Sequence, residues 1–133
     1  MLYVSSHQFP LYPGTGAESE TGTGEGEGYT LNVTHSAGTD WERFRSKWRE
    51  TILTRLQDYD PDYLMVSAGF DAHRTDPIGG LNLNDEAYLT MAEDLNRLSR
   101  EHCEGRLLGL LEGGYNLETL EWLVPKFTER LLE

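Results

Sequence analysis

The chain has 133 residues, enough for one domain with a modest hydrophobic core. Its 23 acidic residues outnumber 11 basic ones, and the formal net charge of -12 disfavours binding to nucleic acid or to anionic membranes. No apolar run is long enough to span a membrane, and no signal peptide is evident. The single cysteine, Cys103, excludes an internal disulfide and suits a reducing compartment, so we expect a cytoplasmic protein.

The first part of the chain combines two short strand candidates with a glycine-rich stretch between them. Residues 2–4 are apolar and predict a short strand, followed by a structured loop at residues 5–13 that contains two prolines. Residues 14–28 carry six glycines and four glutamates, a composition typical of a flexible linker. This stretch matches neither a phosphate-binding loop nor a calcium-binding loop. Residues 29–33 predict a second strand from their β-branched and aromatic character.

Three amphipathic helices are predicted in the rest of the chain. The first covers residues 41–59, the second begins at Asn84 or Asp85, and the third begins after Asn116. Pro125 lies inside the third helix and is expected to bend or restart it. The side chains expected to face inward from the three helices are Phe44, Trp48, Ile52, Leu56 and Tyr59, then Tyr88, Met91, Leu95 and Leu98, then Leu120, Leu123, Phe127 and Leu131.

Two further apolar segments, residues 63–66 and 106–111, predict buried strands. Strands that alternate with helices of this length predict parallel pairing, so we expect an α/β fold with three layers. Each of these two strands ends in glycines and polar side chains. Since open parallel sheets bind their ligands at the carboxyl ends of the strands, we expect the two loops to share one functional rim.

The loop after residues 63–66 carries several side chains suited to chemistry. Asp71 is a hard oxygen ligand suited to Zn²⁺, although it can equally cap backbone amides of its own loop. His73 is either a second ligand or, as lone histidines more often are, a structural hydrogen-bonding residue. Arg74 and Asp76 can pair with each other or orient their neighbours, and we assign this supporting role to His73 and Asp76.

The loop after residues 106–111 presents Tyr115 behind two glycines, Gly113 and Gly114. The tyrosine hydroxyl can donate a hydrogen bond to a developing oxyanion, or the ring can simply cover the edge of the sheet.

The remaining candidate groups do not form a nucleophilic site. Ser67 lies outside a Gly-x-Ser-x-Gly elbow, and the glutamates beside Cys103 disfavour a thiolate. His7 and His35 have no partners in the sequence and are expected to be structural or exposed.

Four motifs in order resemble the zinc-dependent histone deacetylase and acetylpolyamine amidohydrolase superfamily, in its class II-like and bacterial form. They are YPGTG at residues 12–16, GEGYTLNV at 26–33, SAGFDAHR with DPIGGL at 67–81, and LEGGYNL at 111–117. The resemblance extends over nearly the whole chain. It implies an arginase-like α/β deacetylase domain, with residues 1–133 as its carboxy-terminal part, and hydrolysis of an N-acetyl amide on a lysine or a polyamine.

The resemblance also implies roles for individual residues at the substrate. Asp71 would be one ligand of the catalytic zinc, which polarises the carbonyl and activates water. Tyr115 would donate a hydrogen bond to the oxyanion that develops. Gly113, Gly114 and Tyr12 would line the narrow channel that admits the acetylated side chain.

Away from the substrate, Tyr29 matches a position whose backbone carbonyl helps to hold a structural potassium ion in some family members. Residues 14–28 would then form a rim loop rather than a linker.

The chain also departs from the family pattern. Family members have a catalytic domain more than twice as long, and their paired histidines and Asp-x-His segment lie upstream, with no counterpart here. We therefore expect a deacetylase part that is inactive in isolation, with an acetylated lysine or polyamine as substrate of the whole enzyme. Its expected partner is the missing amino-terminal half or a second copy, bound at an exposed sheet edge. The alternative is a non-catalytic remnant that acts as a binding or assembly module.

Overall fold

The structure is a computed structural model that describes residues 1–133 as an α/β arrangement of strands and helices. The strands are β1 (Tyr3–Gln8), β2 (Thr30–His35), β3 (Leu64–Ala68) and β4 (Leu107–Leu111). The helices are α1 (Trp41–Lys47), α2 (Thr54–Tyr59), α3 (Asp85–His102) and α4 (Leu117–Leu132), with a π-helical segment, Trp48–Leu53, between α1 and α2. No helix is both long and apolar enough to cross a bilayer.

The strands form two parallel pairs, which confirms the predicted fold class. β1 pairs with β2 over its whole length, from Tyr3 opposite Thr30 onward, and β3 pairs with β4 from Leu64 opposite Leu107 onward. β1 is longer than predicted, because residues 5–8 belong to the strand rather than to the following loop. Their polar side chains, which made them look like a loop, find hydrogen-bond partners inside the fold.

One hydrophobic core lies between the strands and the helices. The first helical run covers residues 41–59 as predicted, although its middle turn is π-helical. The buried residues of the helices include the periodic positions Phe44, Trp48, Ile52, Leu56, Tyr88, Leu95, Leu98, Leu123, Phe127 and Leu131. α4 continues through Pro125 as one helix, so it does not restart there, whereas the alternative of a bend stays a prediction. Buried side chains on both sides of the proline, Leu123 and Phe127, hold the helix in place.

Residues 14–28 are an ordered segment that runs along one face of the β1–β2 pair, so the linker interpretation was wrong. The side-chain amide of Asn32 in β2 donates to the carbonyls of Ala17, at 3.2 Å, and Glu20, at 2.9 Å. His7 Nε2 in β1 bonds to a carbonyl near the start of the segment, at 2.9 Å. The segment begins after the carboxyl end of β1 and leads to the amino end of β2, and its assignment as a rim loop stays a prediction.

The β3–β4 pair is covered on one face only. Leu64 and Val66 pack toward the core, whereas Met65, between them, is 61% exposed. Leu108, paired with Met65, and Leu110 are exposed as well. We call these three side chains the Met65 face. Because parallel sheets are normally buried on both faces, the Met65 face is an unusual apolar surface.

Candidate active site

The carboxyl ends of β3 and β4 form a rim at which two loops meet. The Phe70 N–H donates to the Gly113 carbonyl at 2.6 Å, and the Glu112 N–H donates to the Ala68 carbonyl at 3.0 Å. The pairing of the two strands thereby continues into their loops. As parallel pairing predicts, the loops that carry Asp71 and Tyr115 lie side by side.

The Asp71 carboxylate lies in a cradle between two glycines. A Cβ on Gly113 would lie 2.7 Å from Asp71 Oδ2, and a Cβ on Gly69 would lie 3.0 Å from Oδ1. Any larger residue at Gly113 would therefore displace the carboxylate. No donor of the chain forms a hydrogen bond to either carboxylate oxygen, so this half-buried anion has no partner within the chain.

An anionic oxygen without competing donors suits one ligand position of a zinc site. A catalytic zinc site uses three protein ligands, however, and the chain contains no group of three His, Cys, Asp or Glu side chains placed to hold a metal. The residues present therefore fit one ligand position and not a complete site.

His73 is buried, only 4% exposed, with both ring nitrogens engaged. Nδ1 bonds to the Thr75 hydroxyl at 2.8 Å and accepts from the Thr75 N–H at 3.3 Å. Nδ1 is then an acceptor, which leaves Nε2–H to donate to Asp85 Oδ1 at 2.9 Å. Neither nitrogen has a free lone pair, so His73 supports the loop and is not placed to bind a metal.

Asp85 connects three elements, a role that the sequence did not predict, because there Asp85 was only one of two possible starts of the second helix. Asn84 is the actual cap of α3. Asp85 instead receives the His73 ring on one oxygen and the Trp122 indole N–H on the other, at 2.8 Å. Partial burial raises the pKa of Asp85, but the hydrogen bonds from Trp122 and His73 outweigh it and hold the pKa below its ordinary value.

Tyr115 is held at the rim through its backbone. Its N–H donates to Asp76 Oδ2 at 2.8 Å, and Asp76 Oδ1 accepts the N–H groups of Ile78 and Gly79. The Tyr115 side chain is 53% exposed, and its hydroxyl forms no hydrogen bond within the chain. The phenol is therefore accessible to a ligand that arrives at the rim.

The other residues assigned by resemblance lie in varied surroundings. Gly114 has a φ of +136°, and a Cβ there would lie 2.9 Å from atoms of Phe70 and Leu120, so packing and backbone both require glycine. Tyr12 is almost fully exposed. The Tyr29 carbonyl accepts the Tyr3 N–H at 2.9 Å, which leaves its second lone pair available.

His35 is a core residue rather than a site residue. Its ring stacks on Phe44 with centroids 4.3 Å apart, and Nε2 bonds to the Ser6 hydroxyl at 3.0 Å. Burial lowers the pKa of His35 to about 4, and the charges of Lys47 and His7 act in the same direction. The ring is therefore neutral at physiological pH.

The fold and the rim define the class: an α/β domain whose adjacent parallel strands carry a partner-free carboxylate and an accessible tyrosine. Residues 1–131 match the histone deacetylase domain family. The chain therefore belongs to the histone deacetylase family.

Comparisons with individual proteins agree with this assignment. The chain is 43% identical over 132 residues to histone deacetylase 14, chloroplastic, of Arabidopsis thaliana. The aligned region covers 99% of the chain and 31% of that protein. The crystal structure of the HDA15 HD domain superimposes with a TM-score of 0.89 at 36% identity, covering 98% of the chain and 37% of that structure. Acetylpolyamine aminohydrolase from Burkholderia pseudomallei superimposes with a TM-score of 0.86 at 29% identity, with the same two coverages of 98% and 37%. The chain spans about a third of the length of several curated relatives and less of others.

Proposed function

We propose that the chain is part of a zinc-dependent deacetylase that hydrolyses N-acetyl amides, with Asp71 as a zinc ligand and Tyr115 as a hydrogen-bond donor to the substrate. The observation that carries this proposal is the Asp71 carboxylate, held without any donor between Gly69 and Gly113, on the same rim as Tyr115. A surface carboxylate that only capped its loop would accept backbone N–H groups, as Asp76 does.

The residues of this chain contribute binding, orientation and charge stabilisation. Bound zinc would supply Lewis-acid polarisation of the amide carbonyl and a more acidic water. Asp71 would hold its ligand position because the two glycines leave its oxygens unobstructed. The Tyr115 hydroxyl would donate to the carbonyl oxygen as negative charge develops on it, an interaction that strengthens toward the transition state.

A cationic acetylated substrate, an acetyl-lysine side chain or an acetylpolyamine, is part of the proposal. The relatives include proteins named histone deacetylase and acetylpolyamine aminohydrolase, and the net charge of -12 favours a cationic ligand over an anionic one. We further propose that Tyr12, Gly113 and Gly114 line the channel, and that the free lone pair of the Tyr29 carbonyl contributes to a structural potassium site.

We propose that the chain acts together with the rest of a deacetylase domain and is inactive without it. Two features support this. The chain offers one zinc ligand where a catalytic site needs three, and no other layer covers the Met65 face or the edges of the strands. The missing amino-terminal half of such a domain would supply both the remaining ligands and that layer. A single buried cysteine, Cys103, is consistent with a reducing, cytoplasmic location, which cell fractionation would test.

The Met65 face also supports a second candidate function, that of a non-catalytic remnant which binds a partner or a second copy of itself. The two candidates differ in what must accompany the chain. The deacetylase proposal requires an in-frame segment, upstream of the Met1 codon or in a separate gene, that encodes a His-His pair and an Asp-x-His sequence. Sequencing of the upstream DNA and of the remaining genes tests this. If neither encodes such a segment, the remnant is favoured.

Activity is tested by co-expressing the chain with that amino-terminal segment and assaying release of acetate from an acetyl-lysine peptide and from an acetylpolyamine. We expect turnover only in the presence of both segments. Leu108→Lys combined with Leu110→Glu should prevent the two segments from associating, whereas Asp58→Asn, at an exposed position, should not. Two results together would favour the remnant. The chain alone would form dimers that the double substitution disrupts, and the mixture of the two segments would show no turnover.

A further inference from the structure

Asp76 joins two loops with the two oxygens of one carboxylate. Oδ1 accepts the N–H groups of Ile78 and Gly79, both at 2.9 Å, and Oδ2 accepts the N–H of Tyr115 at 2.8 Å. Burial raises the pKa of Asp76, but these three backbone donors outweigh it, so the pKa lies below its ordinary value. The carboxylate is thus anionic, and its bonds are of the stronger, charge-assisted kind.

Of these hydrogen bonds, the one that the Tyr115 N–H donates to Asp76 holds the Tyr115 backbone directly. Other bonds between the two loops act further along the chain: Asn116 Nδ2 donates to the Thr75 carbonyl at 3.0 Å, and the hydroxyls of Thr75 and Thr119 lie 2.6 Å apart. These hold the beginning of α4. On the other side, Tyr115 follows the left-handed Gly114, which constrains the chain less than any other residue would.

The Tyr115 ring has no side-chain anchor of its own. It is more than half exposed, and its hydroxyl bonds to no other group of the chain. The direction of the phenol therefore depends on where the Tyr115 backbone is held.

The loop that contains Asp76 is the loop that contains Asp71, and it is tightly closed. A Cβ on Gly79 would collide with the Asp71 carbonyl, so the two ends of this loop touch. Gly79 is also one of the three donors to Asp76. A residue bonded to Asp76 is therefore fixed relative to Asp71.

We propose that Asp76 is a positioning residue for Tyr115, one that fixes the phenol relative to the Asp71 carboxylate for deacetylation. This inference rests on the proposed function for its catalytic consequence, but its structural part does not.

The structural part is tested on the chain itself by amide hydrogen exchange followed by NMR. Tyr115 is the reporter, and Phe70 is the internal reference, because its N–H bonds to the Gly113 carbonyl and not to Asp76. In Asp76→Ala, Tyr115 exchange should accelerate at least about tenfold more than Phe70 exchange, as expected for loss of one charge-assisted hydrogen bond. Asp58→Asn should change neither.

Asp76→Asn provides a milder variant if Asp76→Ala fails to fold. Asparagine has one acceptor oxygen where aspartate has two, so it can serve either Tyr115 or the Ile78–Gly79 pair but not both. The Tyr115 amide, the Ile78 and Gly79 amides, or all three should therefore exchange faster relative to the Phe70 amide. In Asp76→Ala, Tyr115 exchange that accelerates no more than Phe70 exchange would overturn the proposal. In Asp76→Asn, the proposal would be overturned if none of Tyr115, Ile78 and Gly79 accelerates more than Phe70.

The catalytic part is tested by a double-mutant cycle in the assembled deacetylase. Asp76→Ala should lower kcat about tenfold with KM nearly unchanged, and should have no further effect in a Tyr115→Phe background. An equal loss in both backgrounds would show that Asp76 does not act through Tyr115. If the unmodified assembly has no turnover, the proposed function fails, whereas the exchange measurement still decides the role of Asp76.

Discussion

The indole N–H of Trp48 donates to the carboxylate of Asp94 in the helical layer, with Nε1 3.0 Å from Oδ2 and both residues buried. This bond connects the first helical run to α3. The other carboxylate oxygen pairs with the exposed Arg97 guanidinium at 2.6 Å. A buried carboxylate is thereby satisfied from two sides.

Trp48→Phe should lower the free energy of unfolding by about 2–4 kcal/mol, because it leaves a buried acceptor without its donor and opens a void. The matched control is Arg97→Ala, which removes only the exposed partner and should cost about 1 kcal/mol or less. Urea denaturation measures both. Equal costs for the two variants would mean that the Trp48–Asp94 bond contributes nothing of its own.

His35 should make the protein less stable in mild acid. Its pKa is lowered to about 4 in the folded state and is about 6.5 in the unfolded state, so the unfolded state binds the proton first as pH falls. The stabilisation present above pH 6.5 is lost as pH falls toward 4, by about 2 kcal/mol between pH 7 and pH 5. Urea unfolding at these two values, compared with His35→Gln, isolates this contribution. A pH dependence that is unchanged in His35→Gln would contradict the assignment.

Gly113→Ala should displace the Asp71 carboxylate, because the new Cβ would lie 2.7 Å from Oδ2. We expect at least about a hundredfold loss of turnover in the assembled deacetylase, since a ligand or catalytic group displaced by an ångström costs about that factor. Gly26→Ala is the matched control, because no atom lies within 4 Å of its added Cβ. Full activity in Gly113→Ala would show that the position of Asp71 is not critical.

The isolated chain should bind zinc only weakly, because it contributes Asp71 and no cluster of three ligands. Isothermal titration of the chain with Zn²⁺ should show no tight one-to-one complex, and Asp71→Asn should remove what weak binding there is. A tight complex with one zinc per chain would contradict the proposal that the other ligands come from elsewhere.

Periodicity and capping explain why much of the fold was predictable from the sequence. Apolar side chains at three- and four-residue spacing, such as Phe44, Trp48 and Ile52, face the core, and Asn116 caps α4 through the Thr119 N–H. These signals are local, so they are visible in the sequence itself. The parallel strands and the common rim of Asp71 and Tyr115 followed from the alternation of strands and helices.

The rest depends on partners that are distant in the sequence. Residues 14–28 look like a linker because nothing local shows that the Asn32 amide will hold their carbonyls. The pairing of His73 with Asp85, twelve residues later, and of Asp85 with Trp122, likewise has no sequence signal. Long-range hydrogen bonds of this kind decide which polar side chains are structural and which remain free.

The most direct test of the account is the turnover of an acetyl-lysine peptide by the chain assembled with its amino-terminal segment. We predict turnover by the unmodified assembly, a loss of at least about a hundredfold in both Asp71→Asn and Tyr115→Phe, and no loss in Asp58→Asn. Measured zinc content should fall in Asp71→Asn and stay unchanged in Tyr115→Phe. Undiminished turnover in Asp71→Asn or in Tyr115→Phe would contradict the central claim that these residues form the deacetylase site.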